Sequence, residues 1–289
     1  VVYQTRCECG LSSKPFDKAD LSKFNLSQTL LARLQYPRSP LRYRNGNHFY
    51  KKRSAESIDR LFTARNIFVL AILKDAIWRL KLQRRIREKL LFCLASILFA
   101  SSKMQRADGG SWSVGCYWIP PTFVEKNVLL LFQQRFNKAR RWHINNSIQA
   151  KRLVHDASRV ISGDADAAFV LGDARRLPIP DKTVDYVIAD PPQTDEFQYF
   201  ELSYLPASWL GLSMPFKNEI VVNPRQGKDK GVYWEMMHAA FSELARVLKC
   251  KGRITVMLHA EDAEYFKKFK VLLTDVGFKT ISRSFREYQ

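Results

Sequence analysis

In the first half of the chain, apolar residues recur at helical spacing in three stretches. Ile67, Leu70, Ala71, Leu73, Ile77 and Leu80 follow one another behind Thr63, a good cap, and predict a helix from that point. A second helix is predicted over about residues 84–103; its apolar run, 90–100, is too short to cross a hydrocarbon core and reads as a buried helix. A third follows Pro120 and Pro121, with Thr122-Phe123-Val124-Glu125 as its capping box, and runs to about Trp142. Beyond residue 160 the pattern changes. Residues 167–171 read as a short buried strand ending at Gly172-Asp173, and 184–189 as another ending at Asp190-Pro191-Pro192. A helix is predicted over 233–248, a turn at Lys251-Gly252, a strand over 253–258, a helix over 262–276 and a last strand over 278–284. Strands alternating with helices predict an α/β layer structure, in which ligands sit beyond the carboxyl ends of the strands, where Asp173 and Asp190 fall.

Between the N-terminus and these elements the pattern is irregular. Residues 1–10 read as a strand running into a Cys7-x-Cys9-Gly10 knuckle, half of a zinc ribbon at most, because a structural zinc site needs four ligands. Residues 36–57 are polar, basic and aromatic, punctuated by two prolines and Asn45-Gly46, and predict a loop or hairpin. There Arg44, Lys51, Lys52 and Arg53 can neutralise phosphates beside rings that stack on bases; equally, the rings can pack and the cations can be solvated.

Charge divides the chain more sharply than hydropathy does. Residues 1–160 hold 30 basic and 10 acidic side chains, whereas 161–289 hold 17 and 18. A nearly neutral module joined to a strongly cationic one suggests that one part does chemistry and the other holds a polyanion, by default a nucleic acid, with an anionic membrane surface as the lesser alternative. The overall composition, 46% hydrophobic and 26% charged, excludes a disordered chain and supplies a core. Five cysteines at irregular spacing suit a reducing cytoplasm; Cys93, Cys116 and Cys250 read as small core residues. No cleavable signal is visible, and a first residue Val1 reads as a fragment or a processed chain. The division expected is 1–57, zinc-ribbon remnant and basic loop; 58–160, a basic helical region for nucleic-acid recognition; and 161–289, a partial catalytic domain.

The two strand ends carry the candidate chemistry. Val170-Leu171-Gly172-Asp173-Ala174, followed by Val184-Asp185-Tyr186-Val187-Ile188-Ala189-Asp190-Pro191-Pro192-Gln193, resembles consecutive motifs of amino-group methyltransferases that use S-adenosylmethionine. An exocyclic base amine is a poor nucleophile because its lone pair is delocalised into the ring. A carboxylate and a proline-fixed carbonyl that accept its two N–H bonds favour the pyramidal amine and aim its lone pair. Asp190 and the carbonyl of Pro191 are the candidate acceptors, and Pro192 stiffens the turn. The resemblance implies a Rossmann-like methyltransferase sheet, S-adenosyl-L-methionine as cofactor, and contacts from Asp173, Ala174 and Asp190 to it. Phe197 to Ser203 with Trp209-Leu210-Gly211, and the loop Glu219 to Lys228, look like the helix and loop that follow the motif in adenine-specific DNA methylases; Arg65-Asn66 and the 233–252 segment extend the similarity.

Two departures from that pattern stand out. The position after the prolines is usually an aromatic that stacks on the flipped base; here it is Gln193, with Phe197 or Tyr199 as substitutes or as core rings. No glycine-rich loop of the Gly-x-Gly type follows any strand, so this chain carries about half of a cofactor pocket, the remainder being expected upstream of Val1 or, in a permuted arrangement, beyond Gln289. The expected function is a DNA methyltransferase, adenine N6-specific rather than cytosine N4-specific because the acid is Asp. It flips its base from the duplex while Arg225, Lys228 and the basic half contact phosphate. The alternatives are a catalytically defective nucleic-acid-binding remnant and an RNA guanine-N2 methyltransferase. His143, His155, His238 and His259 have structural readings, on the surface, on a helix and at a strand end.

Overall fold

The computed structural model describes residues 2–7, 10–15, 18, 19, 22, 30, 31, 33–49, 55–106, 117–146, 152–258 and 263–281; for 2–15 and 143–146 the backbone alone is described. The chain forms two compact units, one made of Val1–Ile144 with Phe200–Met214, the other of Asn145–Tyr199 with Pro215–Gln289. The segment read as the helix after Asp-Pro-Pro thus leaves the unit that carries the motif from Phe200 onward.

The first unit begins with an antiparallel hairpin of β1 (Val2–Cys7) and β2 (Gly10–Pro15), closed by the pair Cys7↔Gly10. Cys9 lies outside the described residues, and so do Lys51, Lys52, Arg53, Cys116 and His259. Residues 40–49 turn back on themselves as expected, with the bridge Arg42↔His48 around a turn in which Gly46 takes φ +86°, a left-handed value that Asn45-Gly46 supplies without strain, and Pro40 bridges to Ser57. Its rings face inward: Tyr43 and Phe49 are buried, and Phe49 meets Tyr204 edge-on with centroids 4.9 Å apart. Packing therefore takes these two aromatics, and base stacking does not.

Helices α1 (Ala64–Arg79), α2 (Arg84–Ser101) and α3 (Val128–Asn146) form where the periodicity places them. Thr63 caps α1 by accepting the amide of Asn66. The expected capping box of α3 is not used as one. Asn127 Oδ1 takes the Leu130 amide instead, and Glu125, still outside the helix, accepts from Thr63 Oγ1 at 2.6 Å and from Arg65 at 2.8 and 3.0 Å. An acid placed there does more by tying the start of α1 to the approach of α3 than by capping. Asn66, buried, completes the tie by donating to the carbonyls of Ser101 and Lys126.

Helix α5 (Tyr199–Leu210) contains Pro206, which has no amide to give to Leu202. One residue earlier the ladder is opened by a side chain: the Leu205 amide donates to the Tyr117 hydroxyl at 2.9 Å, and that hydroxyl donates to the Glu201 carbonyl. Tyr117 is 1% exposed, so removing its oxygen strands two backbone groups away from water. Tyr117→Phe is expected to destabilise the protein by about 1–3 kcal/mol in denaturant unfolding, and an unchanged midpoint would refute the bridge.

In the second unit β5 (Val184–Ala189) runs parallel to β6 (Leu248–Val256). The apolar side chains of β6 pack on Tyr233, Met237 and Phe241 of α6 (Lys230–Val247) and on Tyr265, Phe269 and Leu272 of α7 (Ala263–Asp275). The turn expected at Lys251-Gly252 is absorbed into β6 as an irregularity between the pairs Val184↔Leu248 and Tyr186↔Arg253. Gly252 is required there, because a Cβ would lie 3.0 Å from the Lys249 carbonyl and 3.2 Å from that of Asp185. Cys250, on the same stretch, is exposed rather than a core residue, whereas Cys93 is buried as expected.

The other strand pair corrects the sequence reading. β3 (Leu153–Val154) and β4 (Ala167–Ala168) pair in parallel over two residues only, around the short helix α4 (Ser158–Ile161). The expected buried strand over 167–171 therefore stops early, and Phe169 and Leu171 are exposed. β4 and β5 share no ladder, so Asp173 and Asp190 do not end strands of one hydrogen-bonded sheet. Residues 278–281 form no strand either, and 282–289 lie outside the described residues. What stands is a mixed helix-and-strand chain with small parallel pairs, compatible with an α/β fold. Among the described residues, no helix is long and apolar enough to cross a membrane.

Candidate functional site

Asp190 is the first residue past the carboxyl end of β5, held in line by the Met257 amide bonding to the Ala189 carbonyl at 2.9 Å. Its side chain is exposed and, among the described residues, has neither a hydrogen-bond nor an ion-pair partner. The turn that follows is fixed from beneath. The Tyr233 hydroxyl, fully buried on α6, donates to the Pro192 carbonyl at 2.7 Å and lies 3.0 Å from the hydroxyl of Tyr265 on α7. Burial pushes both phenols above their ordinary range, so they stay protonated and able to donate. Thr194 takes φ +46°, and its carbonyl accepts the Val222 amide at 2.9 Å. An open carboxylate thus sits at the head of a turn whose backbone is tied to one helix and a loop.

Gln193, the departure from the aromatic pattern, has its Oε1 buried without a hydrogen-bond partner among the described residues, while its carbonyl accepts the Glu196 amide. Tyr199 is half exposed, and Phe197 lies against it with ring centroids 5.9 Å apart. Partial burial, and then the charge of Asp190, raise the Tyr199 phenol. That places a partly open ring pair within electrostatic reach of the carboxylate.

The loop Glu219 to Lys228 has a built interior. Asn223 caps the 3-10 turn Pro224–Gln226, accepting from the amides of Arg225 and Gln226, and gives its own amide to Gln198 at 2.6 Å. Lys228 is 6% exposed and donates to the carbonyls of Phe216 and Glu219. The expected phosphate contact from Lys228 is therefore corrected: its ammonium is used inside the loop. Arg225 is half-buried on the same turn, and Arg44 is exposed in the first unit's hairpin.

Asp173 lies in a separate turn and is engaged. Arg175 grips both of its oxygens, at 2.9 and 2.6 Å, and holds its carboxyl below the usual carboxylate range; Ala174 beside it is exposed. The turn is fastened to the end of α6, where Glu243 accepts the Leu177 amide and Arg246 donates to the carbonyls of Leu177 and Ile179. Arg246, then the Leu177 amide, pull Glu243 down to about 2 from an ordinary 4.5. A depressed folded-state value gives stability that is present above pH 4.5 and lost as pH falls toward 2. The thermal midpoint is accordingly expected to fall across that window more steeply in the wild type than in Glu243→Gln, and parallel curves would refute the assignment.

A cofactor adenine approaching Asp173 would have to displace Arg175, so the expected cofactor contact at Asp173 meets an occupied carboxylate. Among the described residues no group of three or more His, Cys, Asp or Glu side chains is placed to hold a metal ion. Sequence reading missed Tyr233, Tyr265 and Asn223. The first two were legible only as aromatics on a buried stripe, although a tyrosine's polar tip signals a partner. No family model, curated protein or solved structure matches the chain.

Proposed function

We propose that the turn from Asp190 to Gln193 holds the exocyclic amine of a nucleic-acid base for methylation, adenine N6 in DNA being the leading substrate. The observation that carries this reading is the Asp190 carboxylate, unpaired among the described residues, at the end of a parallel strand and ahead of a Pro-Pro turn whose backbone is clamped by Tyr233. In this role Asp190 accepts one amine N–H and the Pro191 carbonyl the other, which localises the nitrogen lone pair. Tyr199 and Phe197 offer a ring surface for the base in place of the missing aromatic at 193. When bound, S-adenosylmethionine supplies the sulfonium methyl that such a nitrogen attacks.

A second reading is favoured by the Asp173–Arg175 pair: a protein that binds nucleic acid without methylating it. Incubating the chain with tritiated S-adenosylmethionine and, in parallel, duplex DNA or RNA, then digesting to nucleosides, separates the two. N6-methyl-2′-deoxyadenosine in the DNA digest supports the first; methylated guanosine from the RNA redirects it to RNA; no label on either, with nucleic acid bound, leaves the binding protein.

A further inference from the structure

The helices of the first unit assemble a second cluster. Asn66 binds the carbonyls of Ser101 at the end of α2 and Lys126 just before α3. Phe92 lies nine positions before Ser101, and Arg135 nine after Lys126; the Arg135 guanidinium sits over the Phe92 ring at 5.4 Å. Two such matches, about 13.5 Å apart along α2, make α2 and α3 antiparallel neighbours. Extending the same register brings Lys138 to Trp142 alongside residues 85–89. The last turn of α1 reaches that end too, because Arg87 covers the Trp78 ring at 5.2 Å and donates to the Leu80 carbonyl.

Residues 75–89 and 135–142 hold ten lysines and arginines against two acids, Asp75 and Glu88. Both acids are engaged, with Arg79 at 2.8 Å and Arg84 at 2.7 Å. Trp78, Phe92 and Trp142 are 53%, 60% and 68% exposed among these cations. Large rings on the surface usually mark a contact, and here two of them carry a guanidinium on one face. That detail chooses between polyanions. A ring capped by a charge cannot enter hydrocarbon without dragging the charge with it, which is costly, whereas a guanidinium–ring stack meets phosphates and bases as it stands.

We propose that this end of the α1–α2–α3 bundle is the surface that grips the phosphate backbone of a nucleic acid. It rests on the nucleic-acid half of the reading above and replaces Lys228 as the phosphate-holding element. The full chain would be titrated against a fluorescein-labelled DNA duplex of about 20 base pairs at several salt concentrations. Arg85, Arg140 and Arg141, all exposed, are changed together to glutamine. A control loses the same charge from Lys251, Lys267 and Lys270 in the other unit, also exposed.

The bundle variant is expected to bind at least ~10-fold more weakly near 0.1 M salt, with a salt slope lower by about 2–3, while the control shifts less than ~3-fold. Equal losses in the two variants would overturn the surface, as would wild-type chain that ignores the duplex and binds phosphatidylserine vesicles. Methyl transfer retained by a bundle variant that binds the duplex normally would sink the surface and spare the methyl-transfer reading; bundle-dependent binding with no transfer would do the reverse.

Discussion

Asp190→Ala is expected to lower methyl transfer by on the order of 10²–10³-fold while duplex binding stays within ~3-fold of wild type. Asp190 is exposed and makes no hydrogen bond or ion pair among the described residues, so its removal leaves no buried group unsatisfied and the fold should not notice. Its loss would be felt only where an amine N–H needs an acceptor. Asp190→Asn sharpens the test: the amide keeps one accepting oxygen but adds a donor facing the amine, so it should recover little activity. The checks are initial rates of labelled-methyl incorporation, a thermal melt and duplex binding on the same preparations. Full activity in Asp190→Ala would remove this turn from the chemistry altogether.

How much of this was legible from residues alone depends on the range of the interactions involved. The three helices of the first unit and the helix over 230–247 were readable because apolar spacing and local caps decide them; Thr63 is both the predicted and the observed cap of α1. The strand 184–189 was readable for the same local reason. What failed was non-local. Residues 167–171 have strand-like composition, yet a strand needs a neighbour, and only Val154 and Leu153 come alongside. Glu125 has the spacing of a capping box but finds better donors 60 positions away in Arg65. Within the candidate site, Asp190 stood out by motif. Tyr233, which fixes its turn across 41 positions of sequence, could not. Lys228 shows the same limit from the other side: a lysine beside a glycine in a loop reads as a phosphate contact, and only the folded loop shows it enclosed.

That enclosure makes Lys228 the position where a single change should cost the second unit most. Its ammonium bonds to the carbonyls of Phe216 and Glu219, its backbone pairs with Asn223 in both directions, and the buried Glu219 carboxylate attracts its charge. Burial alone would push its pKa down, and Glu219 opposes that shift. Lys228→Met keeps the length and apolar stem of the side chain and removes the charge. Two buried carbonyls lose their donor and a buried carboxylate loses a cation that it attracts, a combination expected to destabilise by about 2–4 kcal/mol. The damage should spread to the Thr194 carbonyl, held by Val222 in the same loop, and so to the Asp190 turn. Denaturant unfolding measures the first effect. Amide exchange of Val222, faster in the variant at temperatures where the fold is intact, measures the second. A Met variant as stable as wild type would mean that the ammonium is hydrated rather than enclosed, and would return Lys228 to the candidates for phosphate.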